Sequence, residues 1–164
     1  MHQIILIVHN VRSCLNVGSL LRTADGLGVE KVYLTGYTPY PIAPSDPRLP
    51  HLAKQIASRI NKSALGAEDM VKWLHEDNIE AVLEKLRQDG YQIVALEQGP
   101  KAVKLSTFHA SEKIALIVGR EVEGVEPEIL DKCDHVVEIP MRGHKESFNV
   151  SVAAAMALYE LTYH

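Results

Sequence analysis

Five short apolar runs set the terms for any fold this chain can adopt: Gln3–Val8 (QIILIV), Lys31–Thr35 (KVYLT), Tyr91–Leu96 (YQIVAL), Lys113–Val118 (KIALIV) and His135–Ile139 (HVVEI). Each is rich in Ile, Val or Leu and too short for a helix, so each reads as a strand. Apolar residues follow one another without the alternation of a half-solvated sheet, which implies burial on both faces. Val71–His75 reads as a shorter, weaker strand. Between strands the period changes. In Asn16–Leu27, Val17, Leu20, Leu21, Ala24 and Leu27 share one helical face, with Asn16 as cap and Gly26 or Gly28 at the end. In Asp77–Asp89 the apolar face is Ile79, Val82, Leu83 and Leu86, started by Asp77 or Asn78 and closed by Gly90. Phe148–Leu161 is mostly small and apolar and reads as a tightly packed last helix. The pattern predicts an α/β fold: a mainly parallel sheet with helices on both faces.

In such a sheet ligands bind beyond the carboxyl ends of the strands. The loops after Val8, Leu96, Val118 and Ile139 are therefore where chemistry is expected. Gly36–Pro50 holds five of the eight prolines and reads as a loop, open to movement. The first polar loop, His9–Arg22 (HNVRSCLNVGSLLR), enters a helix whose free N–H groups and Arg22 suit phosphate. The second, Gly119–Gly124 (GREVEG), allows a sharp turn and close backbone approach to a ligand; its spacing is neither a dinucleotide fingerprint nor a P-loop. The third, Ile139–Asn149 (IPMRGHKESFN), carries the basic cluster Arg142, His144 and Lys145. Ser147 reads as the cap of the last helix, with Asn149 beside it. Each loop alone reads equally as an ordinary capped turn with solvated charges. Together, in one open sheet, they point to an enzyme for a small polar ligand.

Composition narrows the class. With 46% hydrophobic and 23% charged residues the chain is globular, and its 164 residues suit one domain. Gln3–Val8 is too short for a signal peptide or a membrane span, so a soluble, cytoplasmic protein is expected. Cys14 and Cys133 form no metal-type spacing and read as reduced thiols; the eight histidines contain no HExxH, and no metal site is expected. The formal net charge of −4 counts against a large nucleic-acid surface but leaves room for a local basic patch.

The three loops, in order and spacing, resemble the three motifs of the SpoU, or TrmH-like, branch of the SPOUT methyltransferases. The first is Asn10, Asn16 and Arg22-Thr23-Ala24. The second is the strand end Ile117-Val118 with Gly119-Arg120-Glu121-Val122-Glu123-Gly124. The third is Ile139-Pro140-Met141 with Ser147-Phe148-Asn149-Val150-Ser151. Phe148 stands where the family often has Leu, and Arg120 where it usually has a smaller or amide residue.

The resemblance implies a C-terminal deep trefoil knot, S-adenosylmethionine as cofactor, and a homodimer with its site near the subunit boundary. The implied reaction is methyl transfer to a ribose 2′-hydroxyl in tRNA or rRNA. It assigns Arg22, Asn16, Glu121, Ser147 and Asn149 to catalysis and substrate positioning. Leu96, Gly119, Ile139, Met141, Ser147 and Phe148 match positions that line the cofactor pocket. Residues 1–164 read as one SPOUT domain without a separate RNA-binding extension. Affinity for RNA is then expected from Arg12, Arg22, Arg142 and Lys145, from the dimer's combined surface, or from an accessory protein. The rival readings are a non-catalytic knotted RNA-binding module and, with no motif behind it, a methyltransferase for small molecules.

Overall fold

A computed structural model describes residues 2–164. Seven strands form one sheet: β1 (Gln3–His9), β2 (Lys31–Thr35), β3 (Trp73–Glu76), β4 (Gln92–Leu96), β5 (Val103–Lys104), β6 (Lys113–Val118) and β7 (His135–Glu138). Their order is β3-β2-β1-β6-β4-β7-β5, and every neighbouring pair is parallel. Six helices connect them: α1 (Cys14–Gly26), α2 (Pro50–Ala64), α3 (Ala67–Met70), α4 (Ile79–Gln88), α5 (Pro127–Leu130) and α6 (Val150–Tyr163).

The unbroken apolar runs are buried on two sides, as parallel strands between helices must be. On β1, Ile4, Leu6 and Val8 face one core, shared with Leu20 and Leu21 of α1, Ile60 of α2 and Leu158 of α6. Ile5 and Ile7 face the other, shared with Val82, Leu83 and Leu86 of α4 and Ile129 of α5. Strand β6 divides in the same way, Leu116 to one side and Ile117 to the other.

Register brings the strand ends level. Val8 pairs with Leu34 and with Val118, Ala95 with Ile117, and Leu96 with Val137. The loops after β1, β2, β4, β6 and β7 therefore emerge along one edge of the sheet.

Two caps differ from the sequence reading. Ser13, not Asn16, caps α1: its hydroxyl accepts the Asn16 N–H at 3.2 Å. Asn149, not Ser147, caps α6, its side-chain oxygen accepting from the N–H groups of Ser151 and Val152 at 2.9 and 3.3 Å. The third strand is Trp73–Glu76 rather than Val71–His75. The proline-rich loop is tied down, since the Arg48 guanidinium lies 3.6 Å over the Tyr40 ring, which stacks on His75 at 3.9 Å. Among the described residues no helix is long and apolar enough to cross a membrane.

Candidate active site

The turn after β6 is built around two glycines. Arg120 and Gly124 exchange backbone hydrogen bonds at 3.2 and 3.1 Å, which folds the loop back on itself. A Cβ on Gly119 would come within 2.6 Å of the Gly124 and Val125 backbone. Gly124 has φ +70°, and a Cβ there would lie 1.8 Å from a Glu97 carboxylate oxygen. Glu97, directly after β4, in turn accepts from the N–H groups of Val125 at 2.9 Å and Gln98 at 2.8 Å. The turn is thus clamped to the neighbouring strand end. Glu97 carries no local motif; only the parallel register of β4 beside β6 reveals it.

Glu121 reaches from this turn to the start of α1. One carboxylate oxygen accepts from the Ser13 N–H at 2.9 Å and the Asn16 side-chain amide at 3.1 Å; the other accepts from the Arg12 N–H at 3.2 Å. A carboxylate at a helix N-terminus meets unpaired donors and the positive end of the helix dipole. Burial alone would raise the Glu121 carboxyl, but these donors outweigh it and hold it below its ordinary value. Glu121 is therefore ionised and fully engaged, a positioning group rather than a proton acceptor.

Asn16 passes the connection on. Its amide nitrogen donates to Glu121, so its oxygen is left to accept from the Asn149 amide at 3.1 Å. Asn149 keeps its own oxygen for the cap of α6. The donor and acceptor ends of both amides are fixed by this sequence of bonds. One residue from each polar loop is joined in a single line, Asn149 to Asn16 to Glu121. Asn149→Ala is expected to cost about 1 kcal/mol as a lost cap and to release Asn16. Ser147→Ala should leave urea-unfolding stability unchanged, because Ser147 is exposed and caps nothing. Equal losses in the two variants would contradict this placement.

Beside this line opens a cavity of about 250 Å³ between the loops after β4, β6 and β7. Leu96, Gly119, Ile139, Ser147 and Phe148 line it, as does Glu121; Met141, half-buried nearby, does not. Arg22 stands apart. It is exposed on α1, outside the bonded line and the cavity lining. Six residues beyond Asn16 it lies about 9 Å further along the helix, on a different side.

Behind the cavity lies a second polar group that the sequence did not signal. His9, buried at the end of β1, has Nδ1 2.8 Å from the Thr35 hydroxyl and Nε2 3.4 Å from Glu126 Oε2. Glu126 Oε1 accepts from the Asn10 amide at 2.9 Å, and Arg120 approaches it at 3.7 Å. The Asn10 amide also lies 3.2 Å from Nε2, so a neutral ring with its proton on Nδ1, donating to Thr35 and accepting from Asn10, fits these bonds and leaves Glu126 Oε2 buried without a donor. Burial lowers the His9 pKa below 6.5 against the pull of Glu126. For Glu126 burial acts to raise the carboxyl, but Asn10 and the neighbouring charges hold it below 4.5. Both groups bind protons more readily when unfolded, so both make the fold sensitive to acid. Stability should be level above 6.5 and fall as pH drops below it, with a further loss below 4.5. His9→Gln should flatten the upper part of that decline in urea titrations; an unchanged slope would remove His9 as its source.

The sequence model of the SpoU rRNA Methylase family matches residues 3–159. The chain belongs to this family. Among curated relatives, a Staphylococcus aureus protein named for the TrmH family of tRNA/rRNA methyltransferases is 29% identical over 157 residues, covering 96% of this chain and 57% of its own. The SpoU domain thus spans little more than half the length of that relative. The fold matches an AdoMet-bound rRNA methyltransferase from Sinorhizobium meliloti with TM-score 0.80 at 22% identity, over 98% of this chain and 57% of that one. A structure described as an RNA 2′-O ribose methyltransferase matches with TM-score 0.78 at 27% identity, over 97% of this chain and 55% of the other. The matched span, residues 3–159, contains the bonded line and the cavity.

Proposed function

We propose that this SpoU domain transfers the methyl group of S-adenosylmethionine to a ribose 2′-hydroxyl of tRNA or rRNA, acting as a homodimer in the cytoplasm. The observation that carries the reading is the Asn149–Asn16–Glu121 line beside the cavity, which makes one site of three distant loops. Two structural neighbours, an AdoMet-bound rRNA methyltransferase and an RNA 2′-O ribose methyltransferase, support the same reading. The cavity's chemistry suits the cofactor. Leu96, Ile139 and Phe148 would offer apolar walls to a nucleoside, the turn after β6 would offer its backbone, and Glu138 and Glu146 would supply negative charge for a sulfonium. When bound, S-adenosylmethionine supplies an already activated methyl group, so the reading needs no metal.

The chain's own residues would do the rest. Glu121 and Asn149 hold Asn16 toward the substrate, and Ser147 and Phe148 shape the cavity rim. Arg22, exposed and two turns along α1, is placed to bind phosphate with its planar fork and to stabilise a developing alkoxide; a guanidinium is too weak a base to take the proton itself at neutral pH. Since Arg22 and the cavity of one chain are apart, the site is read as completed at a subunit boundary. Val152, Tyr159 and Tyr163 form an exposed stripe along α6, at 49%, 54% and 61% accessibility, which supports pairing there. Of the alanines on this helix, Ala154 and Ala157 are buried within the chain, and Ala153 and Ala155 are partly exposed. Strand β6 inserted between β1 and β4, with β7 beyond β4, is the chain crossing from which we read the trefoil knot. Residues 1–164 are read as one such domain, with Arg12, Arg142 and Lys145 as further RNA contacts, or with an accessory protein providing them.

The test is incubation with methyl-labelled S-adenosylmethionine and total cellular RNA in the presence of a chelator, followed by nucleoside analysis. Labelled 2′-O-methylnucleosides are expected. Cofactor binding without any transfer would instead favour a non-catalytic RNA-binding module.

A further inference from the structure

The loop after β2 holds one aromatic side chain out in solvent and fixes the backbone on both sides of it. Tyr37 is 54% exposed and sits on the same sheet edge as the candidate site. Its N–H donates to the Asn10 side-chain oxygen at 3.1 Å. Asn10 is itself in the left-handed region, φ +54°, where non-glycine residues are uncommon. Before Tyr37, Gly36 has φ +65°, and a Cβ there would lie 2.0 Å from the Asn10 oxygen; its carbonyl meets the His75 ring nitrogen at 3.0 Å. After Tyr37, Thr38 is buried, its hydroxyl donating to the Val8 carbonyl at 3.0 Å and accepting from the Val11 N–H at 3.2 Å.

Core packing does not account for this arrangement, because the ring joins neither apolar core. The Arg12 guanidinium pairs with Glu123 at 3.2 Å. The Arg12 N–H is held by Glu121, the carboxylate that also holds Asn16. Asn10, which holds the Tyr37 backbone, stands two residues before Arg12, so the exposed ring is carried beside the bonded line of the site.

Unpaired bases of RNA are recognised by stacking on exposed aromatic rings, with neighbouring guanidinium groups assisting. A ring carried on an already ordered backbone loses less freedom when a base lands on it than one on a loose loop. Stacking is also independent of net charge, which suits a chain that is acidic overall. Resting on the reading of the substrate as RNA, we propose that Tyr37 is a stacking platform for an unpaired base beside the site.

The test uses the purified chain with S-adenosylmethionine, single-stranded oligonucleotides carrying 2-aminopurine as binding probe, and total RNA as methyl acceptor. The wild type should quench 2-aminopurine on binding. Tyr37→Ala should lower oligonucleotide affinity on the order of tenfold and raise KM for RNA by a similar factor. Its maximal rate, cofactor affinity and melting temperature should stay at wild-type values. Tyr37→Phe, which keeps the ring and loses the hydroxyl, should bind and quench like the wild type. The platform is overturned if Tyr37→Ala binds as the wild type does. It is equally overturned if Tyr37→Phe is as weak as Tyr37→Ala, for then the hydroxyl and not the ring carries the binding, or if the loss tracks a fall in melting temperature. A wild-type protein that methylates RNA while Tyr37→Ala is unaffected removes the platform alone. A wild type that neither binds the probes nor methylates total RNA overturns the RNA reading and the platform with it.

Discussion

Arg22→Ala is expected to slow methyl transfer to RNA by roughly 100- to 1000-fold, the usual loss when one donor to a developing oxyanion is removed. Cofactor affinity should stay at its wild-type value, because Arg22 does not line the cavity between the loops after β4, β6 and β7. Stability should hardly change, since the side chain is exposed. Arg22→Lys should recover little, because an ammonium cannot reproduce a planar set of donors. Calorimetry with the cofactor and single-turnover transfer to RNA separate the two effects. Near wild-type transfer by Arg22→Ala would return the residue to the solvated surface of α1.

The second large effect is structural and begins where α1 crosses α2. Gly18 lies against α2 so closely that a Cβ would stand 2.2 Å from the Ser63 hydroxyl, 2.3 Å from the Ile60 carbonyl oxygen and 2.8 Å from the Ala64 nitrogen. The hydroxyl is not free to turn aside, since it donates to the Leu15 carbonyl at 2.7 Å, and the other two atoms are backbone. The helices must separate. Gly18→Ala should destabilise by about 3 kcal/mol, the upper part of the range for overpacking, lowering Tm by roughly 6–12 °C. Activity should fall as well, because α1 carries both Asn16 and Arg22. Gly26→Ala is the control. It is on the same helix with nothing within 4 Å of the added carbon, and it should stabilise by about 0.5 kcal/mol. Comparable losses for both glycines would disprove the close crossing.

These contrasts show which information was local. The strands buried on two faces were readable because burial leaves an unbroken apolar run, and β1, β2 and β6 lie within a residue of their expected ends. Strand β3 was displaced because it is an edge strand with alternating burial, so its signal is faint. The two-residue β5 exists only because β7 offers it a partner. Helix α2 escaped definition because its fully buried residues are Ala53, Ile60 and Ala64, too small and sparse to make an apolar stripe.

The caps moved for a different reason. Ser13 and Asn16 are both good cap residues, as are Ser147 and Asn149, and nothing local chooses between them. The choice is made by Glu121, which draws Asn16 away from capping duty across more than a hundred residues of sequence. Glu97 and Glu126 were unreadable for the same reason: each is a lone acid until the sheet sets it against a neighbouring loop. The motif segments meet along one sheet edge, but nothing in their residues states that Glu121 anchors a helix start.

The strand order also has a consequence for biosynthesis. Strand β6 fills the place between β1 and β4, yet it is made after both. While the ribosome is still adding residues before Lys113, β1 and β4 each present an open, strongly apolar border to solvent. Such borders recruit other chains, and nascent parallel sheets are exposed in this way for longer than helical bundles. The protein is therefore most in need of a holding chaperone late in translation, and a stalled or truncated message ending before β6 would yield a sticky product rather than a smaller folded one.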